Sequence, residues 1–80
     1  MKQLLVGAAA LNVTPLDWSG NRSKIIEAIE SAKRAGVSVL CLPELAVTGY
    51  GCEDAFLSAD VSERALQTLR AIAPATKGFT

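Results

Sequence analysis

The run Leu4-Leu5-Val6-Gly7-Ala8-Ala9-Ala10-Leu11 is apolar at odd and even positions alike. A strand presents alternate side chains to opposite faces, so such a run needs cover on both sides, as strands of parallel or mixed α/β sheets have. Residues 3–11 therefore read as a buried strand. The stretch Asn12 to Asn21 carries Asn, Thr-Pro, Asp and Ser-Gly-Asn, all turn formers, and reads as a loop. Apolar residues then recur at Ile25, Ala28, Ile29, Ala32 and Ala35, with Arg22, Lys24, Glu27, Glu30, Lys33 and Arg34 between them. That spacing predicts an amphipathic helix, closed by Gly36 just past its end. Val37 to Leu42 follows, β-branched and apolar, and completes a βαβ unit with parallel strands.

A loop from Pro43 to Ala59, rich in Gly and acidic residues, leads to Asp60 and Glu63, which have capping-box spacing. The stripe Ala65, Leu66, Leu69, Ile72 and Ala73 predicts a second helix, stopped by Pro74. Ala75 to Thr80 reads as a turn leading toward a further strand. The expected class is α/β in the order β-α-β-α. Eighty residues allow one small domain at most, and of 40 apolar residues 13 are Ala and only four are Phe, Trp or Tyr. A core that thin in volume suits a piece of a larger fold better than a self-sufficient domain.

Absences narrow the chemistry. With no histidine, the chain alone cannot build a Ser-His-Asp or Cys-His pair, or a zinc site of the HExxH or Cys2His2 type. Two cysteines make no disulfide scaffold. Eight basic residues balance eight acidic ones without long runs of one sign, so no nucleic-acid partner is expected. The longest apolar run falls short of the ~18 residues that span a bilayer and has poor signal-peptide flanks, so neither membrane insertion nor secretion is expected and a cytoplasmic setting is. No GxGxxG or P-loop pattern offers a phosphate cradle.

Ligand sites of open α/β sheets gather at the carboxyl ends of the strands. Glu44 stands two residues beyond the second strand, after Pro43, which fixes its own φ and keeps Leu42 extended. Apolar Leu42, Leu45, Ala46 and Val47 surround it, and desolvation there would raise a carboxylate pKa toward general-base range. The alternative is a surface carboxylate accepting hydrogen bonds from a turn. Tyr50, between Gly49 and Gly51, reads either as an aromatic presented to a ligand or as a packed turn residue. Glu53-Asp54 reads as a solvated loop or helix start rather than a cation site; no metal site is expected. Cys41 reads as a small buried hydrophobe and Cys52 as a loop thiol with no nearby cation to activate it. Asp17-Trp18 reads as a cap and a packing residue.

The strings ALNVTPLDWSGN (residues 10–21) and CLPELAVTGYGCEDAF (residues 41–56) resemble the glutaminase domain of the glutamine-dependent NAD synthetase branch of the nitrilase (carbon-nitrogen hydrolase) superfamily. Pro43-Glu44-Leu45 marks the superfamily and TGYGCEDAF the branch; Val13 departs from the usual Gln. The resemblance implies the N-terminal β-α-β-α portion of a four-layer αββα sandwich in which Glu, Lys and Cys hydrolyse glutamine through a thioester. On it, Glu44 is the catalytic general base and Tyr50 a substrate-binding aromatic near the glutamine pocket. The lysine and the nucleophilic cysteine would lie beyond Thr80, and Lys2, Lys24, Lys33, Lys77, Cys41 and Cys52 do not match them. The 80 residues alone would then be inactive, with glutamine and the remainder of the chain as partners and a homo-oligomer as the complete enzyme. No cofactor is expected here; ATP and Mg would belong to a separate synthetase domain. A stand-alone amidase of the same superfamily and a noncatalytic βαβ interaction module are the competing readings.

Overall fold

The computed structural model describes residues 4–49 and 59–78. Strand β1 (Val6–Ala8) leads through a long loop to helix α1 (Trp18–Arg34). Strand β2 (Val39–Cys41) follows, then helix α2 (Ala59–Ile72), which runs into a 3₁₀ turn, Ala73–Thr76. The strands pair in parallel, with Val6 opposite Val39 and Ala8 opposite Cys41. This is the βαβ order expected, with α1 as the crossover helix.

Both strands are shorter than the apolar runs that contain them. Leu4, Leu5 and Val6 are exposed, at 72%, 53% and 64%, so the expectation of a buried strand over residues 3–11 is corrected. The pattern on both parities asks for two covering layers, and the described residues supply α1 alone. Cys41 is likewise exposed rather than buried. Val37 is drawn out of the expected second strand by the end of α1. Gly36 takes φ +78 beyond Ala35, its N–H bonds the Lys33 carbonyl at 3.1 Å, and the Val37 N–H bonds the Ala32 carbonyl at 3.0 Å. That is a Schellman closure, and glycine bears its left-handed residue without the Cβ clash. Lys33 and Arg34 place positive charge at the same end, where the helix dipole is negative.

Helix α1 begins three residues before the expected end of the loop, because Asp17 caps it: its carboxylate accepts the Gly20 N–H at 3.1 Å. Ser19, Gly20 and Asn21 thus belong to the first helical turns, although they read as turn residues.

The core is small. Ile25 and Ile29 of α1 meet Ile72 of α2 and Ala46 of the turn after β2, with Leu11, Leu40 and Val47 packed around them. Toward β1 the contact is thin, with Ala28 and Ala32 opposite Gly7 and Ala8 along an open apolar hollow of about 260 Å³.

In α2 the buried residues are Val61, Thr68 and Ile72, with Ala65 half-buried. The expected stripe is corrected in register: Leu66 and Leu69 are 48% and 53% exposed. Positions 61, 65, 68 and 72 share one face, and α1 chose that face. Thr68 is admitted to it because its hydroxyl bonds the Arg64 carbonyl at 2.8 Å. Asp60 lies inside the first turn of α2 rather than at its cap, and there its charge still complements the helix dipole. Pro74 falls in the 3₁₀ turn, so the α-helix ends where expected. No helix among the described residues is long and apolar enough to cross a membrane.

The exposed leucines and the uncovered sheet make a testable statement. A polypeptide of residues 1–80 alone is expected to self-associate or to be partly unfolded. A monomeric mass by light scattering together with a cooperative thermal transition would contradict this.

Candidate functional site

The chain leaves β2 through Leu42 and Pro43 into a turn that starts at Glu44 and runs to Thr48. Glu44 is exposed, so the apolar neighbours that surround it in sequence do not bury it. Burial comes one residue past the bend: Leu45 is exposed with φ +54, whereas Ala46 is 7% exposed and belongs to the core. The turn is closed by the Gly49 N–H on the Leu45 carbonyl at 2.7 Å. A leucine at positive φ is held there by its surroundings, since the left-handed conformation costs a residue with a Cβ about 1 to 2 kcal/mol.

Those surroundings are the loop before α1. The Leu16 N–H bonds the Thr48 carbonyl at 2.7 Å. Gly49, at φ +85, lies so close that a Cβ would sit 2.6 Å from the Thr14 carbonyl oxygen. No other residue fits that approach. Between the two segments stands Asn21, 0% exposed. Its Oδ1 accepts the Thr14 N–H at 3.0 Å, and its Nδ2 donates to the Thr14 carbonyl at 2.8 Å and the Val47 carbonyl at 3.0 Å. The sequence reading missed this residue by assigning it to a loop. The signal was available: Asn21 lies four before Ile25 and eight before Ile29, a polar residue on the buried stripe of α1.

The structure thus brings Glu44 to the carboxyl end of β2, on a turn fastened to the loop after β1. Tyr50, Cys52, Glu53 and Asp54 lie outside the described residues. Lys24 donates from Nζ to the Asn12 carbonyl and fastens the start of the same loop. Asp17 and Trp18 cap and pack as expected, the Arg64 guanidinium standing over the Trp18 ring at 5.7 Å and tying α2 to the start of α1. An open hollow of about 380 Å³ lies beside that pair, lined also by Arg22 and Gln67. Among the described residues no three His, Cys, Asp or Glu side chains converge as metal ligands would. A carboxylate at a strand end can accept and return a proton.

The carbon-nitrogen hydrolase family model matches residues 5–78. The chain is 42% identical over 72 residues to the glutamine-dependent NAD(+) synthetase of Oryza sativa subsp. indica, an alignment covering 90% of this chain and 10% of that protein. With the enzyme of the same name from Saccharomyces cerevisiae it is 49% identical over 51 residues, 64% of this chain and 7% of that one. A crystal structure of a glutamine-dependent NAD(+) synthetase from Cytophaga hutchinsonii superposes with a TM-score of 0.92 at 49% identity, covering 95% of this chain and 13% of that chain. The chain spans about a tenth of the length of the curated relatives it matches.

The cap makes the prediction here. In the full-length protein, Asp17→Ala is expected to cost about 1 kcal/mol of stability and Asp17→Ser much less, because serine restores an acceptor for the Gly20 N–H. Denaturant midpoints of the two variants measure the difference; equal losses would deny the capping role.

Proposed function

We propose that this chain, which belongs to the carbon-nitrogen hydrolase family, is the opening β-α-β-α part of the glutamine-hydrolysing domain of an NAD synthetase, with Glu44 as its general base. The observation that carries the reading is the placement of Glu44. It stands at the carboxyl end of a parallel strand, in a turn whose shape is enforced from outside, within a chain similar along most of its length to enzymes of that name.

In such a reaction Glu44 takes the proton of a cysteine thiol as the sulfur attacks the glutamine carboxamide. It then delivers a proton to the departing ammonia, and afterwards activates the water that opens the thioester. A lysine and a backbone N–H stabilise the tetrahedral oxyanion. In this reading the cysteine and the lysine are contributed by sequence outside residues 1–80. Tyr50 is assigned to the wall of the glutamine pocket. The exposure of Glu44 here fits a base whose cover comes from the remaining layers of the four-layer sandwich. In this reading ATP and Mg²⁺ would be used by the ligase half of such an enzyme.

The test is a pair of rates on one preparation of the full-length protein, with glutamine and with ammonium as nitrogen donor. Glu44→Gln keeps the side-chain shape and removes the proton acceptor. Glutamine-dependent NAD formation should fall by about 10²- to 10⁴-fold, roughly 3 to 5 kcal/mol in the barrier, while the ammonium-dependent rate survives. If both rates fall together, Glu44 is structural; if neither falls, it is not the base. Cys41→Ala should leave glutamine turnover within about tenfold, since no Lys or Arg stands near this thiol in the sequence to favour the thiolate. Disappearance of the thioester intermediate in that variant would reassign the nucleophile.

A further inference from the structure

We infer that Asn21 is the positioning residue for Glu44: its buried carboxamide fixes the turn that carries the base. The inference rests on the proposed role of Glu44 as general base.

Asn21 does not act as a generic core residue. Its three hydrogen bonds all go to backbone, two to Thr14 and one to Val47, and Val47 lies in the turn that Glu44 begins. The partners fix the orientation of the carboxamide, since two carbonyl oxygens require the N–H₂ end and an amide N–H requires the oxygen. The turn does not hold its shape unaided. Leu45 at φ +54 is a conformation a leucine leaves when released. Glu44 is therefore suspended between two anchors. On its N-terminal side the Ala9 N–H bonds the Cys41 carbonyl at 3.0 Å as the strands part. On its C-terminal side the anchors are Asn21 on Val47, Leu16 on Thr48, and Gly49 pressed against Thr14. Removing the carboxamide takes the partner described for the Thr14 N–H and the Val47 carbonyl and leaves the Thr14 carbonyl only the Asp17 N–H at 3.2 Å, and the relaxed solution is for the turn to move away from the loop. A base displaced by about 1 Å loses about 10²-fold in rate without losing its chemistry. Asn21 thus acts through geometry and touches no reacting atom.

The experiment uses the full-length protein with Asn21→Asp and Asn21→Ser, each alone and combined with Glu44→Gln. Thermal melting accompanies rates measured with glutamine and with ammonium. The expected result is a kcat for glutamine lowered about 10- to 100-fold with KM changed less than about threefold, and an ammonium-dependent rate at the wild-type level. In the Glu44→Gln background either Asn21 substitution should add less than about threefold, because a base already absent cannot be misplaced. Wild-type kcat in both single variants overturns the inference. So does a loss additive with Glu44→Gln, and so does a parallel loss of both rates with a lowered melting temperature, which makes Asn21 a fold residue only. Should both variants fail to fold, Gly49→Ala pries the same contact open from the other side, and the same non-additive loss is expected; full glutamine turnover there overturns the inference. Glu44→Gln at wild-type glutamine rates brings down the base assignment itself, a result distinct from every failure of Asn21 alone.

Discussion

A single buried carboxamide holds together the two segments on which the site depends. Asn21 is shut off from solvent, and a buried polar group must be fully partnered or it costs more than it contributes. Its partners are backbone groups of the loop after β1 and of the turn after β2. The loop cannot shift without abandoning Asn21, and the turn cannot relax its left-handed Leu45 without abandoning the loop. Helix α1 sets the place of Asn21, because Ile25 and Ile29 on the same stripe are locked into the core. The rigidity of the Glu44 turn therefore originates in the packing of a helix that does not contain Glu44.

The apolar surfaces follow a complementary logic. Alanines on α1 and small residues on β1 bring helix and strand together without filling the space between them, while the larger leucines of α2 and of the β1 approach stand in solvent. This distribution is what a portion of a layered α/β sandwich requires, where each element has one face for the neighbours described here and another for layers beyond them.

How far the sequence could be read depended on the range of the physics involved. Local signals were legible: the 3.6-residue period of α1, the Gly36 closure and the Asp17 cap depend on residues a few positions apart, and the parallel βαβ order follows from the order of the elements. The carboxyl-end location of Glu44 was legible too, because Pro43 and the strand before it are sequence neighbours. Signals that depend on what covers an element were not. Leu66 and Leu69 looked like core because a helical stripe does not say which of its edges another helix will take, and Cys41 looked buried because an apolar strand does not say how many layers cover it. Asn21 escaped for a different reason: it is a turn former by composition, and only the register of Ile25 and Ile29 behind it shows that it faces inward.

The contact between Asn21 and the Val47 carbonyl joins positions 26 apart in the chain. Loop closure of that length costs entropy before any bond repays it, so this contact cannot form until α1 has wound and β2 has come to rest beside β1. The site geometry is then among the last things the chain acquires on folding and among the first it can lose in a local opening. The amide of Thr14 carries the record of that event. Its residue is exposed and its N–H is held by Asn21 Oδ1 alone among the bonds described here, so its proton exchanges with water when the clasp opens, even while the core of α1 stays closed.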